Sequence, residues 1–275
     1  MFSNAFTDPL PSPVMSEPLV KLSIRDHSAT VILNRPDKRN ALSRALLSQL
    51  HQLFEDLHLE KRVRSIILTG SGSAFCAGMD LGEMHATAAG DDPHAQWQRD
   101  AEQYHDLLLL MLRFPKPIIA AVNGPAIAGG AGLVLACDLV VASQNAKFGL
   151  PEPKRGIVAG LVTPLLAFRV GGGTAGYLLL TAQTIDAARA QSLGLFHEVV
   201  PDEQVWVRAA ELGKEIAGSA PEALLLTKRM LNETIGESLA TQLAVGAATS
   251  ATARTTESAA EGLKAFLEKR EPKWP

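Results

Sequence analysis

Three segments of the chain put glycines, turn-borne amides and a carboxylate at spacings that could do chemistry. They are Phe75-Cys76-Ala77-Gly78-Met79-Asp80-Leu81, Asn123-Gly124-Pro125-Ala126-Ile127-Ala128-Gly129-Gly130-Ala131-Gly132, and Phe148-Gly149-Leu150-Pro151-Glu152. In the first two, glycine falls where a strand gives way to a turn and then a helix. Glycine at such a place lets a ligand approach the main chain closely, and the first amides of a helix lack intrahelical acceptors. Both segments can therefore aim N–H groups at developing negative charge. The same glycines would equally serve tight turns and close packing. Neither segment is a phosphate-binding loop, because no Gly-Lys-Ser/Thr follows, and neither fits the dinucleotide fingerprint. Taken alone, Glu152 reads as an exposed turn carboxylate after a proline. The seven histidines are scattered without a metal-ligand spacing, so no metal is implied, and Ser43, Ser65 and Ser71 lack a nucleophile-elbow context.

The rest of the chain must position these segments. With 275 residues, 47% of them hydrophobic and 20% charged, it suits one large α/β domain with or without an appendage. A formal charge of -3 without a Lys/Arg cluster gives no footprint for nucleic acid. Cys76 and Cys137 are too few for a disulfide framework, and a reducing cytoplasm is the natural setting. Residues 1–18 carry Pro9, Pro11, Pro13 and Pro18, with neither a basic start nor an apolar core, and read as a flexible leader rather than a targeting peptide. Residues 118–142 are apolar but interrupted by Asn123, Gly124, Pro125 and Asp138, which predicts buried strand, turn and helix rather than a membrane span.

Residues 19–24 and 29–33 predict a hairpin. Ser43 is placed to cap a helix whose Leu46, Leu47, Leu50, Leu53, Phe54 and Leu57 fall on one stripe. Short β-branched runs at 63–68 and 117–122 predict further strands, so strands and helices alternate as in a parallel α/β architecture. Residues 83–100 read as a polar loop, followed by a helix carrying Leu107, Leu108 and Met111. Beyond Asp186 the pattern turns helical and strand-poor, with Asp186 and Asp202 as caps, Gly194 as a stop and Pro221 in a first turn.

Together and in this order, the three segments resemble the crotonase family, also called the enoyl-CoA hydratase/isomerase family. The likeness extends from about Val20 to the C-terminus. It is carried further by Asn34-Arg35-Pro36-Asp37-Lys38-Arg39-Asn40-Ala41-Leu42, similar to N-R-P-x-x-x-N-A-L, by Ala136-Cys137-Asp138-Leu139, and by residues 261–270, which look like the family's closing helix. The resemblance implies an α/β fold built as a spiral of ββα units over residues 19–200. A C-terminal helical region, 201–275, would then pack in a homotrimer or a hexamer.

In that family two backbone amides donate to the thioester oxygen of an acyl-CoA, and the matching positions are Met79 and Gly129. Removing an α-proton, or adding a nucleophile at C3, places negative charge on that oxygen, which is what such donors stabilise. The resemblance also implies that Ala77 and Leu81 flank the CoA adenine and pantetheine, that Asp80 holds the turn, and that Phe266 and Lys269 reach the adenosine-phosphate end. Lys38 or Arg39 would meet phosphate. CoA enters as part of the substrate, so no separate cofactor is implied, and neither a nucleic acid nor a membrane partner is expected.

The ordinary hydratase of the family uses two glutamates to orient one water. Gly132 stands at the first of those positions and Glu152 at the second. One carboxyl against an apolar acyl pocket can have its pKa raised by desolvation and so exchange a proton near neutral pH. That suffices for moving a proton between C2 and C4, the isomerase reaction, whereas hydration also needs something to hold the water. Gly130-Ala131-Gly132-Leu133-Val134 and Thr163-Pro164 look like members that combine glycine here with hydratase activity, which favours hydration. Isomerisation is the runner-up, and CoA-ester binding without turnover is the rival from another class. His85 and His105 are candidates for placing the water, and Trp97 and Tyr104 for walling the acyl pocket.

Overall fold

A two-residue turn opens the described chain. Asp26 and His27 both take positive φ (46° and 67°), which matches the twist of a tight hairpin, so β1 (Val20–Arg25) folds back antiparallel on β2 (Ser28–Leu33). The computed structural model describes residues 17–234 and 236–274, and the predicted leader lies outside these except for Glu17 and Pro18.

From β2 onward the chain repeats one path: a strand of the main sheet, a short extended piece beside it, then helix. The first turn runs from β2 through the bridge between Leu42 and Met79 into α1 (Arg44–Leu59), whose Ser43 hydroxyl accepts from the Leu46 amide at 3.2 Å. The second runs from β3 (Ser65–Gly70) through Cys76, bridged to Ala126, into α2 (Leu81–Ala88) and α3 (Pro93–Arg113). The third is β4 (Ile118–Val122), β5 (Ala126–Ile127) and α4 (Gly129–Ala136). The fourth is β6 (Leu139–Ser143), β7 (Lys147–Gly149) and α5 (Val162–Thr181). After it come β8 (Thr184–Asp186), α6 (Ala187–Ser192) and β9 (Glu198–Val200). The large sheet has the order β1-β2-β3-β4-β6-β9, parallel from β2 onward, and the small one β5-β7-β8. This is the predicted spiral of ββα units. Its strands β3, β4 and β6 are almost wholly buried, as parallel strands covered on both faces must be.

Four more helices follow: α7 (Val205–Ala217), α8 (Pro221–Arg229), α9 (Glu237–Ala253) and α10 (Glu257–Leu267). Val205 and Ala209 of α7 cover the outer sheet face formed by Ile67, Ile119, Ala121 and Val141. Lys228 of α8 is buried, and its Nζ donates to Asp138 Oδ2 (2.7 Å) and to the carbonyls of Met111 (3.1 Å) and Lys116 (3.2 Å). Among the described residues no helix is long and apolar enough to cross a membrane.

Two expectations are corrected. Residues 83–100 are helical apart from the break at 89–92: Asp80 accepts from the amides of Gly82 and Glu83 to start α2, and Asp92 accepts from Ala95 to start α3, with Pro93 in the first turn. Their polar side chains form the outer face of helices whose other face buries Met84, Trp97, Ala101 and Tyr104. Asp202 does not cap a helix but accepts from Ser143 Oγ and from Asn145 Nδ2 (3.0 Å). The region beyond 186 is helical and strand-poor as expected, its short strand β9 pairing with 141–143 at the edge of the main sheet.

Candidate active site

Gly78 has φ 91°, and a Cβ there would lie 2.7 Å from Ala128 Cβ and 2.9 Å from Ile127 O, so only glycine lets the two amide-bearing turns touch. Leu42 straps the first turn from both sides: its N–H donates to Gly78 O (2.8 Å) and its carbonyl accepts from Asp80 N (3.0 Å). The second turn is held by the Ala128 N–H on Gly149 O (2.8 Å). Ala128 itself has φ 54° and ψ -124°, an arrangement that glycine favours and a strain local to the start of α4. The ladder of α4 begins with Gly132 N–H on Ala128 O (3.1 Å). Among the described residues neither the Met79 nor the Gly129 N–H has an acceptor, and both residues line one pocket.

Asp80 does more than start α2. Arg35 donates to Asp80 Oδ2 (3.0 Å) and to Ala41 O (2.6 Å), and Asn40, itself at φ 55°, donates to the carbonyls of Ser71 and Ala74 at 2.9 Å each. Burial works to raise the Asp80 pKa, but the bonds from Arg35 and from the Glu83 and Gly82 amides outweigh it and hold the carboxyl below its ordinary value. The Asn-Arg-Pro…Asn-Ala-Leu segment thus braces the turn that carries the Met79 amide. Sequence reading missed that role for Arg35 and Asn40.

Glu152 starts the short 3-10 helix Glu152–Arg155 after Pro151, and it is buried, not exposed as the turn context alone suggested. Loss of solvent pushes its carboxyl up to about 7, against the opposing pull of its own amide and of the Arg155 charge. Its Oε2 has no hydrogen-bond partner. A carboxyl poised there is half ionised near neutral pH and can both take and give a proton.

Tyr104 of α3 lines the same pocket, and its hydroxyl donates to Gly129 O. A Cβ added at Gly132 would run into that hydroxyl and lie 3.0 Å from Val162 Cγ2. Gly132 is therefore not at the pocket surface; it makes room for Tyr104. Burial raises the Tyr104 pKa well above its ordinary value, as do the Cys76 and Glu152 charges, so the phenol stays protonated.

Ala77 and Leu81 line the pocket with Met84, Ala101 and residues 157–162. Lys38 and Arg39 are exposed, though the Arg39 carbonyl accepts from the Ala77 amide (3.0 Å), and Lys269 is exposed beyond α10. None of the three lines the pocket, and nor do His85, His105 or Trp97. Phe266 reaches its edge through Arg155, whose guanidinium stands 4.6 Å above the Phe266 ring. Polar lining residues that were not foreseen include Asp100, Arg155, Ser250 and Arg254.

A ββα spiral with its pocket where successive turns meet is the crotonase type of α/β fold. A model of the family described as enoyl-CoA hydratase/isomerase matches residues 24–275, and the chain belongs to that family. A putative enoyl-CoA hydratase of Thermus thermophilus is 41% identical over 91% of this chain and 98% of its own length. Among solved structures, an enoyl-CoA hydratase/isomerase from Xanthobacter autotrophicus Py2 has a TM-score of 0.83 at 28% identity, covering 94% of this chain and 98% of that one. A monofunctional enoyl-CoA isomerase from M. smegmatis has a TM-score of 0.66 at 31% identity, covering 81% and 94%.

Proposed function

We propose that the chain catalyses reversible hydration of a 2-enoyl-CoA thioester with Glu152 as the acid/base. The observation that carries this reading is the meeting, in one pocket, of two amides without acceptors and a desolvated carboxyl whose Oε2 is free. The thioester oxygen accepts from Met79 and Gly129. Ionised Glu152 takes a proton from water as the water oxygen bonds C3, and the C2=C3 electron pair shifts until the charge rests on the thioester oxygen. One amide there stabilises the transition state by about 3 kcal/mol. Glu152 then returns the proton to C2, so one water is added and the enzyme is restored.

Tyr104 stands in for the absent first glutamate. Its single proton is committed to Gly129 O, which leaves its oxygen lone pairs to accept from the water that Glu152 deprotonates. Ala77 and Leu81 on the pocket wall support a CoA path past α2, with Lys38, Arg39, Phe266 and Lys269 as outer contacts. Exposed Tyr177, Leu180, Leu226, Met230 and Leu231 support the trimer or hexamer reading, which light scattering of the purified protein would check.

Isomerisation between 3-enoyl and 2-enoyl esters is the second reading, favoured by one observation: the other lining carboxylate, Asp100, is already bound to Arg44 at 2.6 and 2.7 Å. The two readings differ in sign at the enone absorbance. A 2-enoyl ester given to a hydratase loses that absorbance, and a 3-enoyl ester given to an isomerase gains it. Saturation of turnover by neither ester, with CoA-ester binding intact, would leave only the binding function.

A further inference from the structure

Arg254, near the end of α9, is buried at 8% exposure, lines the pocket, and has an Nη1 without any hydrogen-bond partner. A buried guanidinium nitrogen left unpaired costs free energy unless something meets it. The acidic neighbour is Asp100, yet its oxygens are taken: Oδ1 accepts from Arg44 Nε (2.6 Å) and Gln96 Nε2 (2.7 Å), and Oδ2 from Arg44 Nη2 (2.7 Å). Arg44 Nη2 also donates to Thr87 Oγ1 at 2.5 Å. Arg44 thus answers Asp100 and has Glu83 beside it as well, its own N–H donating to Glu83 Oε2 (2.9 Å), while Arg254 has no ion-pair partner of its own among the described residues. Burial lowers the Arg254 pKa to about 10, which the Asp100 charge opposes and the Arg44 charge reinforces, so the group remains a cation at neutral pH.

The remaining lining charges are Glu152 and Arg155, and neither is bonded to Arg254. Glu152 is held up near 7, and Arg155 adds a second cation, occupied in stacking on Phe266. Everything else on the wall is apolar or small apart from Ser250, buried one helical turn before Arg254, and the Tyr104 hydroxyl, which is bound to Gly129 O. A pocket built for a purely hydrocarbon chain gains nothing from an unpaired arginine. One built for an acyl chain with a carboxylate gains a donor whose planar fork matches that group.

We infer that Arg254 is a recognition site for a second carboxylate on the acyl chain, so that the preferred substrate is the CoA monothioester of a dicarboxylic acid. This rests on the assignment of the pocket to an acyl thioester. The carboxylate would pair with the Nη1 of Arg254, and Arg44 would keep Asp100 from competing for it.

Calorimetric binding of saturated esters tests the inference without any turnover, and so separates it from the hydratase reading. The expected result is that adipyl-CoA binds about ten- to a hundredfold more tightly than hexanoyl-CoA. In Arg254→Met that ratio falls to near one because adipyl-CoA weakens while hexanoyl-CoA does not, and Arg254→Lys keeps part of it. Should hexanoyl-CoA bind the unaltered protein as tightly as glutaryl-, adipyl- and pimelyl-CoA, the inference is overturned whether or not the variants fold. It is equally overturned if Arg254→Met weakens both classes of ester and free CoA alike, since the arginine would then be meeting a phosphate of CoA.

Discussion

Glu152 and Tyr104 are where single atoms decide the outcome. Glu152→Gln keeps size and burial but removes the proton exchange, and turnover should fall by about 10²- to 10⁴-fold with little change in binding of a saturated CoA ester. Hydration needs the ionised carboxylate, so kcat/KM should decline as pH drops below about 7. The linkage to stability has the opposite sense. A carboxyl raised from 4.5 unfolded to about 7 folded binds its proton more tightly in the folded state, so its contribution weakens as pH rises through that window. Glu152→Gln should accordingly raise the melting temperature relative to the parent at pH 8, by an amount corresponding to at most about 3 kcal/mol, and much less at pH 4.5. A variant no more stable at pH 8 than at pH 4.5, each against the parent, would refute the desolvated carboxyl. Gly132→Ala forces a methyl against the Tyr104 hydroxyl and should cost about 1–3 kcal/mol in urea unfolding. Combining it with Tyr104→Phe should recover part of that stability without recovering activity.

At the scale of elements, the two amide turns are held by pieces of four ββα units, the fourth through Gly149 at the end of β7. Leu42 follows β2, Gly78 and Met79 follow β3, and Gly129 follows β4 and β5. Gly78→Ala sets a Cβ at φ 91° into Ala128 and Ile127 O, and parting the turns should lower kcat by at least about 10²-fold, the effect of losing one oxyanion donor. Near-unchanged kcat in a folded Gly78→Ala variant would argue against those amides. Asp80→Ala removes both the cap of α2 and the anchor for Arg35, at about 1 kcal/mol for the cap alone. The helices at 81–88 and 93–113 show why polar composition misled at this scale. Trp97, Ala101, Tyr104, Leu108 and Met111 follow the helical period, but the intervening Gln96, Gln98, Arg99, Glu102 and Gln103 raise the polarity of the stretch because they cover an outer surface.

For the molecule as a whole, the C-terminal helices are tied to the spiral by few but buried polar links. Lys228 joins α8 to Asp138 and to the carbonyls ending α3 and preceding β4. Lys228→Ala leaves the carboxylate and both carbonyls short of a donor and should destabilise by about 3 kcal/mol, read as a lower urea midpoint. Arg254, at the C-terminal cap of α9, is different: it is buried near Arg44 and Asp100 in the first half of the chain, yet its Nη1 has no hydrogen-bond partner.

The sequence by itself determined the alternation of strands and helices, the Ser43 and Asp186 caps, and two glycine-bearing turns, while the spiral and the choice of the Met79 and Gly129 amides came from the family resemblance. The alternation, the caps and the turns follow from local requirements: a period of burial, a capping oxygen and, at Gly78, a backbone angle that favours glycine. What only the tertiary structure decided is how far solvent is kept from Glu152, that Tyr104 fills the space above Gly132, and that Asp100 is taken by Arg44 while Arg254 is left free. These join positions 28 residues apart in one case and more than 150 in another. Burial and pairing across such separations depend on how helices pack over the sheet, which no spacing along the chain encodes.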